Sequence, residues 1–301
     1  MRIGIDIGGT KIEGIAIDQN GQILFRERIS TPAGNYRATV SSVASLVDRI
    51  ERDTGKSGSV GIGIPGALSP DTGLVKNANS TCLIGKPLAS DLCDALHRTV
   101  RIANDADCFA LSEATDGAGK GYPSVFGVIL GTGVGGGLVI AGALVTGPNA
   151  IAGEWGHNTL TAGNDGTAHP PHPCYCGRTG CIETYLSGPS LTRQFFAETG
   201  SNAGPKEIAA SAEQGDPRSN AVLEKYEHHL ARALSMVINI VDPSAIVLGG
   251  GLSNLSRLYD NVPKLLSSHV FSDTVHTALL PPVHGDSSGV RGAAWLWPSP
   301  E

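Results

Sequence analysis

The 301-residue chain is 41% hydrophobic and 17% charged, which is enough apolar material for a large core and too little charge for a disordered polymer. A formal charge of -6 with no Lys/Arg run argues against a nucleic-acid partner, since polyanion binding draws on clustered cations. No apolar run approaches the roughly 18 residues of a membrane span, and no signal-like segment precedes the strand-like Arg2–Asp6, so a soluble cytoplasmic protein with no membrane partner is expected.

In chain order, the first element is a pair of apolar strands around Gly8-Gly9-Thr10-Lys11, predicted as a hairpin with a glycine-lined tip. Tyr36–Gly55 reads as a helix because Val40, Val43, Val47 and Ile50 share one face. Ser59–Pro65 and Val100–Ala103 are strand candidates, and Ala106–Asp116 reads as a helix beginning directly after Asn104-Asp105. A second glycine hairpin spans Val125–Ile140, with Gly131-Thr132-Gly133 at its tip. Beyond it, Ser219–Ile240 is a long helical stretch, Ala245–Leu248 is a strand running into Gly249-Gly250-Gly251, and Gly289–Trp297 is helical. The two hairpins lie about one domain length apart, and the glycine-rich linker ending at Pro123 is the best boundary. The expected division is 1–118 and 119–288, with 289–301 returning to the N-terminal domain.

Taken alone, Gly131-Thr132-Gly133-Val134-Gly135-Gly136 satisfies a dinucleotide-binding pattern, but Leu138-Val139-Ile140 continues as a strand where that motif requires a helix. What survives is a hairpin tip whose bare N–H groups can approach phosphates. Three such glycine loops make Gly8, Gly9, Thr10, Lys11, Thr132, Gly133, Gly249, Gly250 and Gly251 the candidate nucleotide contacts. Asp6 ends an apolar strand, where a carboxylate must be paired, hydrated or metal-bound, and Mg²⁺ held through waters suits it as well as a turn-stabilising role does. Asp105 has two readings, as the acceptor of a hydroxyl proton in phosphoryl transfer and as a helix N-cap.

In a reducing cytoplasm six cysteines do not imply disulfides; Cys82, Cys93 and Cys108 read as buried small hydrophobes. Cys174, Cys176 and Cys181, with His157 upstream, form the Cys₃His donor set of a closed structural zinc site. His169 and His172 stand close by as competing ligands. Zinc on His157 and Cys181 would also fix the backbone of Glu154 and Glu183, two carboxylates suited to bidentate hydrogen bonds from sugar hydroxyls.

These motifs, together with Gly63-Ile64-Pro65-Gly66, Gly153-Glu154-Trp155-Gly156-His157 and Cys174-x-Cys176-Gly177-x-x-Gly180-Cys181-Ile182-Glu183, resemble the ROK family of bacterial sugar kinases and sugar-responsive repressors along essentially the whole chain. The resemblance implies an actin-like, ribonuclease-H-like fold of two α/β domains closing over a cleft, with Asp105 as catalytic base. It implies sugar contacts from Gly66, Asn79, Asn104, Glu154, His157 and Glu183, ATP and Mg²⁺ at the glycine loops, and a homodimer. Within the family, Lys76–Thr81, the Glu-Trp-Gly-His form around Trp155 and the ending His284–Trp297 are most similar to the fructokinase branch, which points to 6-phosphorylation of fructose and also mannose. N-acetylglucosamine kinase and glucokinase are the alternatives within the family. A repressor would need a helix-turn-helix ahead of Gly8, where there is no room for one.

Overall fold

The computed structural model describes residues 1–160 and 171–298. Its elements in chain order are β1 (Arg2–Ile7), β2 (Lys11–Ile17), β3 (Ile23–Ser30), α1 (Tyr36–Thr54), β4 (Ser59–Ile64), β5 (Ala67–Leu68), β6 (Val75–Lys76), α2 (Leu88–Leu96), β7 (Val100–Asn104) and α3 (Asp105–Thr115). There follow β8 (Ser124–Leu130), β9 (Val134–Ile140), β10 (Ala143–Val145), α4 (Glu183–Leu186), α5 (Gly188–Thr199), α6 (Pro205–Glu213), α7 (Pro217–Val241), β11 (Ala245–Gly249), α8 (Arg257–Leu266), β12 (Ala278–Leu280) and α9 (Ser288–Trp295). They form two compact units. One contains Met1–Gly121, Gly137–Ala152 and the segment from Val283 onward; the other contains Tyr122–Gly136 and Gly153–Pro282.

The sheet of the first unit has the order β3-β2-β1-β4-β7, antiparallel on its β1/β2/β3 side and parallel from β1 through β4 to β7. Side chains alternate across a strand, so β1 serves two different layers. Ile3, Ile5 and Ile7 pack into a buried cluster with Val43, Leu46, Val47 and Ile50 of α1 and Leu88 and Leu92 of α2. Gly4 points to the other side, where α9 lies against it: a Cβ on Gly4 would sit 2.1 Å from the carbonyl oxygen of Val290. Gly61 of β4 meets the carbonyl of Ala293 in the same way, at 1.9 Å. Glycine on that face is therefore what lets the last helix seat on strands that precede it by more than two hundred residues.

α9 is also anchored by charge. The Asp116 carboxylate accepts hydrogen bonds from Arg291 Nε at 2.9 Å and Trp295 Nε1 at 3.2 Å. Glu113, completely buried, accepts from the Ser288 hydroxyl at 2.7 Å and from the amides of Ala118, Val283 and His284. Burial of Glu113 is tolerable because its oxygens are occupied by donors. The Arg291 guanidinium and His284 hold Asp116 below the usual carboxylate range against the opposing effect of burial. Glu113 and Asp116, at the far end of α3, thus hold both α9 and the segment that leads into it.

In the second unit, β11 lies between β8 and β12 and is parallel to both. The full order of its sheet is β10-β9-β8-β11-β12, and β9 carries the chain across the division between Gly136 and Gly137. The 25-residue α7 buries Tyr226, whose hydroxyl donates to the Leu186 carbonyl at 2.9 Å. Its Glu227 is held by Arg257 and Asn261 of α8. Among the described residues no helix is long and apolar enough to cross a membrane.

Candidate active site

In the first unit the candidate residues converge where β1, β4 and β7 end. Asn104 is the last residue of β7 and the N-cap of α3: its Oδ1 accepts the Ala106 amide at 2.9 Å, and its Nδ2 donates to the Gly66 carbonyl at 3.1 Å. The cap is therefore Asn104, and Asp105 is the first helical residue, its Oδ1 also accepting the Ala106 amide at 2.8 Å. Asp105 is exposed and Asn104 half-buried. Gly66 is buried under Ala78, which a Cβ would approach to 2.9 Å, and the Asn79 amide donates to the Pro65 carbonyl at 3.1 Å. Gly66, Asn79, Asn104 and Asp105 are in this way tied into one corner.

Asp6 lies beside them. Its carboxylate oxygens stand 3.5 Å from where a Cβ of Gly63 would be and 3.7 Å from one on Gly289. Burial, and after it the charge of Asp105, pushes the Asp6 carboxyl up to about 7, with Lys11 and Arg28 opposing. A cation near this pair would lower their mutual repulsion, so the donor set fits a hydrated divalent ion. The adjoining hairpin tip is closed by Gly8 N–H donating to the Lys11 carbonyl at 2.9 Å, and Gly9, Thr10 and Lys11 are exposed.

The second unit holds Glu154, His157 and Glu183. Trp155–His157 is a 3₁₀ turn whose Trp155 Nε1 donates to the Gly135 carbonyl at 2.9 Å, and Trp155 packs edge-on against Phe126 at 5.8 Å. Glu183 opens α4 and accepts the Val134 amide at 2.9 Å. A Cβ on Gly133 would come within 2.7 Å of that carboxylate. The glycine tip 131–135 is thus fastened from two sides by residues of the zinc-motif region.

The glycines divide by cause. Gly136 is crowded by Phe126 and Trp155, Gly156 by the Val134 carbonyl, and Gly250 combines φ +80° with a Leu130 carbonyl 2.5 Å from its Cβ position, so these three are required by packing or backbone conformation. Gly251 has open space instead, a Cβ on Gly131 would make only an ordinary contact with Ile129 at 3.9 Å, and both line a cavity of about 700 Å³ together with Thr132. Gly133, Gly249 and Gly250 are not among its lining residues. The same cavity is lined by Gly188, Pro189 and Thr192 at the start of α5 and by Gly204, Pro205, Lys206 and Glu207 at the start of α6. Sequence reasoning named none of these seven. The available signal was the pair of helix starts Ser187-Gly188-Pro189 and Gly204-Pro205, since Pro in a first turn marks an N-terminus and N-termini favour anions.

One donor atom each from His157, Cys174, Cys176 and Cys181 lies within 4.8 Å of all the others, a spacing that a single tetrahedral ion could bridge. His157 Nδ1 faces Cys174 Sγ at 3.6 Å, and Cys176 Sγ faces Cys181 Sγ at 3.6 Å. Without a cation, burial drives the Cys181 thiol up to about 12. His172 is outside this cluster and packs against Tyr185 at 5.8 Å, and His169 lies outside the described residues.

A sequence model described as the ROK family matches residues 2–299. An N-acetyl-D-glucosamine kinase of Yersinia pseudotuberculosis serotype O:3 (strain YPIII) is 41% identical over 98% of both chains. A ROK hexokinase from Thermus thermophilus superposes with a TM-score of 0.86 at 28% identity, covering 97% of this chain and 96% of its own. A ROK family glucokinase from Streptomyces griseus, solved in complex with glucose and AMPPNP, gives a TM-score of 0.78 at 30% identity over 98% of both chains. With that coverage the chain belongs to the ROK family, and it is a sugar kinase of the family's two-domain, actin-like α/β fold.

Proposed function

We propose that the protein transfers the γ-phosphoryl group of ATP to the 6-hydroxyl of a hexose, with Asp105 as general base. The observation that carries this reading is the corner at the start of α3, where Asn104 supplies the helix cap while Asp105 stands exposed beside the half-buried Asp6. The hydroxyl oxygen bonds to the γ-phosphorus as the bond to the β–γ bridging oxygen breaks; the hydroxyl proton passes to Asp105 Oδ, and ADP leaves. Gly66, Asn79, Asn104, Glu154, His157 and Glu183 are the residues we assign to the sugar. Carboxylates accept from paired hydroxyls and so fix the ring orientation that aims one alcohol at the base.

We assign ATP to the glycine loops, with the 700 Å³ cavity as its site in the second unit. The starts of α5 and α6 place the positive ends of two helices at this cavity, and Lys206 supplies positive charge. Asp6 is the residue we assign to Mg²⁺, which would neutralise charge on the transferring phosphoryl group. His157, Cys174, Cys176 and Cys181 would hold a structural Zn²⁺ that leaves no coordination position open for chemistry. A homodimer and a cytoplasmic setting complete the reading.

For the hexose, N-acetylglucosamine is the first choice, because relatives about two-fifths identical over nearly their whole length carry that activity in their names. Fructose is the second reading, favoured by Lys76–Thr81, Glu154–His157 and the 284–297 ending. An ADP-release assay over N-acetylglucosamine, fructose, mannose, glucose and N-acetylmannosamine separates them by rank of kcat/KM. If no hexose stimulates ADP release, the kinase assignment fails.

A further inference from the structure

Asn79 also lines a second, smaller cavity of the first unit, of about 200 Å³. Its amide is tied to the Pro65 carbonyl, and the next carbonyl along, that of Gly66, holds Asn104, so the cavity adjoins the corner from which Asp105 projects. Ile7, Thr39 and Leu83, each 1% exposed, give it a buried and mainly apolar floor. Gly9 and Ser80 face each other at its wall, Ser80 Oγ lying 3.8 Å from the place a Cβ on Gly9 would take. The hydroxyls around it differ in what they have left to give. Thr31 Oγ1 donates to the Gly8 carbonyl at 2.8 Å and Thr39 Oγ1 to the Asn35 carbonyl at 2.9 Å, so neither has a hydrogen to spare. Ser80 stands at the N-cap of the turn Thr81–Leu83, yet its side chain makes no capping hydrogen bond, and its O–H stays available to a ligand.

A bare sugar hydroxyl has no use for such a recess, because an apolar floor strips its water and returns no hydrogen bond. A substituent with a methyl end and a carbonyl suits it: the methyl group leaves water against Ile7 and Leu83, and the carbonyl oxygen accepts from Ser80. The space is several times the share of one water, about 30 Å³, so a group larger than a hydroxyl fits. We infer that this recess is the specificity pocket for the 2-acetamido group of an N-acetylhexosamine, with Ser80 as the residue that selects it. The inference rests on the reading of Asn79 as a sugar contact and of N-acetylglucosamine as the first-choice hexose. It gives that preference one place in the fold. Glucose and fructose, which carry no acetamido group, leave the recess to water.

The test compares N-acetylglucosamine with glucose, which differ only at carbon 2. Initial rates give kcat and KM for both sugars in the parent, Ser80→Ala and Ser80→Leu. The parent should prefer N-acetylglucosamine by at least about 10-fold in kcat/KM, the worth of one methyl group in an apolar pocket. Ser80→Ala should raise KM for N-acetylglucosamine about 3- to 10-fold, the worth of one hydrogen bond, while glucose stays within about twofold. Ser80→Leu fills the recess and should abolish or reverse the preference. In Ser80→Ala the melting temperature and KM for ATP should remain parental, which keeps the test decisive if the leucine variant folds poorly. An unchanged preference in Ser80→Ala overturns the inference, and so does an equal loss for both sugars. A rise confined to KM for ATP overturns it too, and gives the recess to the nucleotide. If the parent prefers N-acetylglucosamine and Ser80→Ala leaves that preference intact, the inference alone falls. A parent with no such preference, or with no hexose activity, removes the substrate reading and the inference with it.

Discussion

Asn104 joins the Gly66 carbonyl, through Nδ2 at 3.1 Å, to the first free amide of α3, through Oδ1 at 2.9 Å. One side chain therefore fixes the corner from which Asp105 projects. The helix keeps its cap when Asp105 is replaced, so Asp105→Ala is expected to lower kcat by at least about 10²–10⁴-fold with thermal stability close to the parent. Asn104→Ala should behave differently, costing about 0.5–2 kcal/mol in urea unfolding as well as activity. An Asp105→Ala enzyme with near-parental kcat would remove the base assignment.

Gly292 of α9 is packed so tightly on α3 that a Cβ would lie 1.6 Å from the Cys108 carbonyl oxygen. Both partners are backbone, so neither can rotate away. Gly292→Ala should destabilise by about 1–3 kcal/mol or more, the range of an overpacked core, despite the better helix propensity of alanine. Chemical denaturation of the first unit is the measurement; an unchanged midpoint would contradict the packing.

The Asp6 carboxyl, raised to about 7 from an unfolded value of 3.8, retains a proton that the unfolded chain releases. Its favourable share of stability is fully present below about pH 4 and is lost as pH rises through about 7. Asp6→Asn has no such proton to lose. The difference in melting temperature between variant and parent should therefore shift in the variant's favour from pH 4.5 to pH 8. Added Mg²⁺ with nucleotide should reduce that shift in the parent, since a cation stabilises the ionised form.

Metal analysis of the purified protein should find close to one zinc per chain, and Cys181→Ser or chelation should remove it. The expected consequence is a lower melting temperature and weaker sugar binding together, because His157 and Cys181 organise the stretch carrying Glu154 and Glu183. A zinc-free protein of parental stability and sugar affinity would refute the structural role.

Local elements were legible wherever a local cause dominates. Alternating apolar residues around Gly8–Lys11 define the β1/β2 hairpin, and the 3.6-residue apolar spacing of Val43, Val47 and Ile50 defines α1. The Cys-x-Cys-x₄-Cys spacing with its turn glycines made the four-donor cluster readable, His157 included. The sequence left Asp105 with two readings, base or N-cap, and the Ala106 amide donating to Asn104 Oδ1 at 2.9 Å makes Asn104 the cap.

What the tertiary structure alone decided is which distant residues share a surface. Nothing in the local pattern of Gly188–Thr192 or Gly204–Glu207 says that they line one cavity with Gly131 and Gly251, because that depends on how α5 and α6 pack around the β8/β11 strand ends. Motif spacing likewise could not tell glycines that leave space for a ligand from those, such as Gly136 and Gly250, that give way to a neighbouring ring or carbonyl. Short-range sterics and periodicity are written in consecutive residues. Contact between segments a hundred positions apart comes from packing summed over the whole core, and only the folded chain displays it.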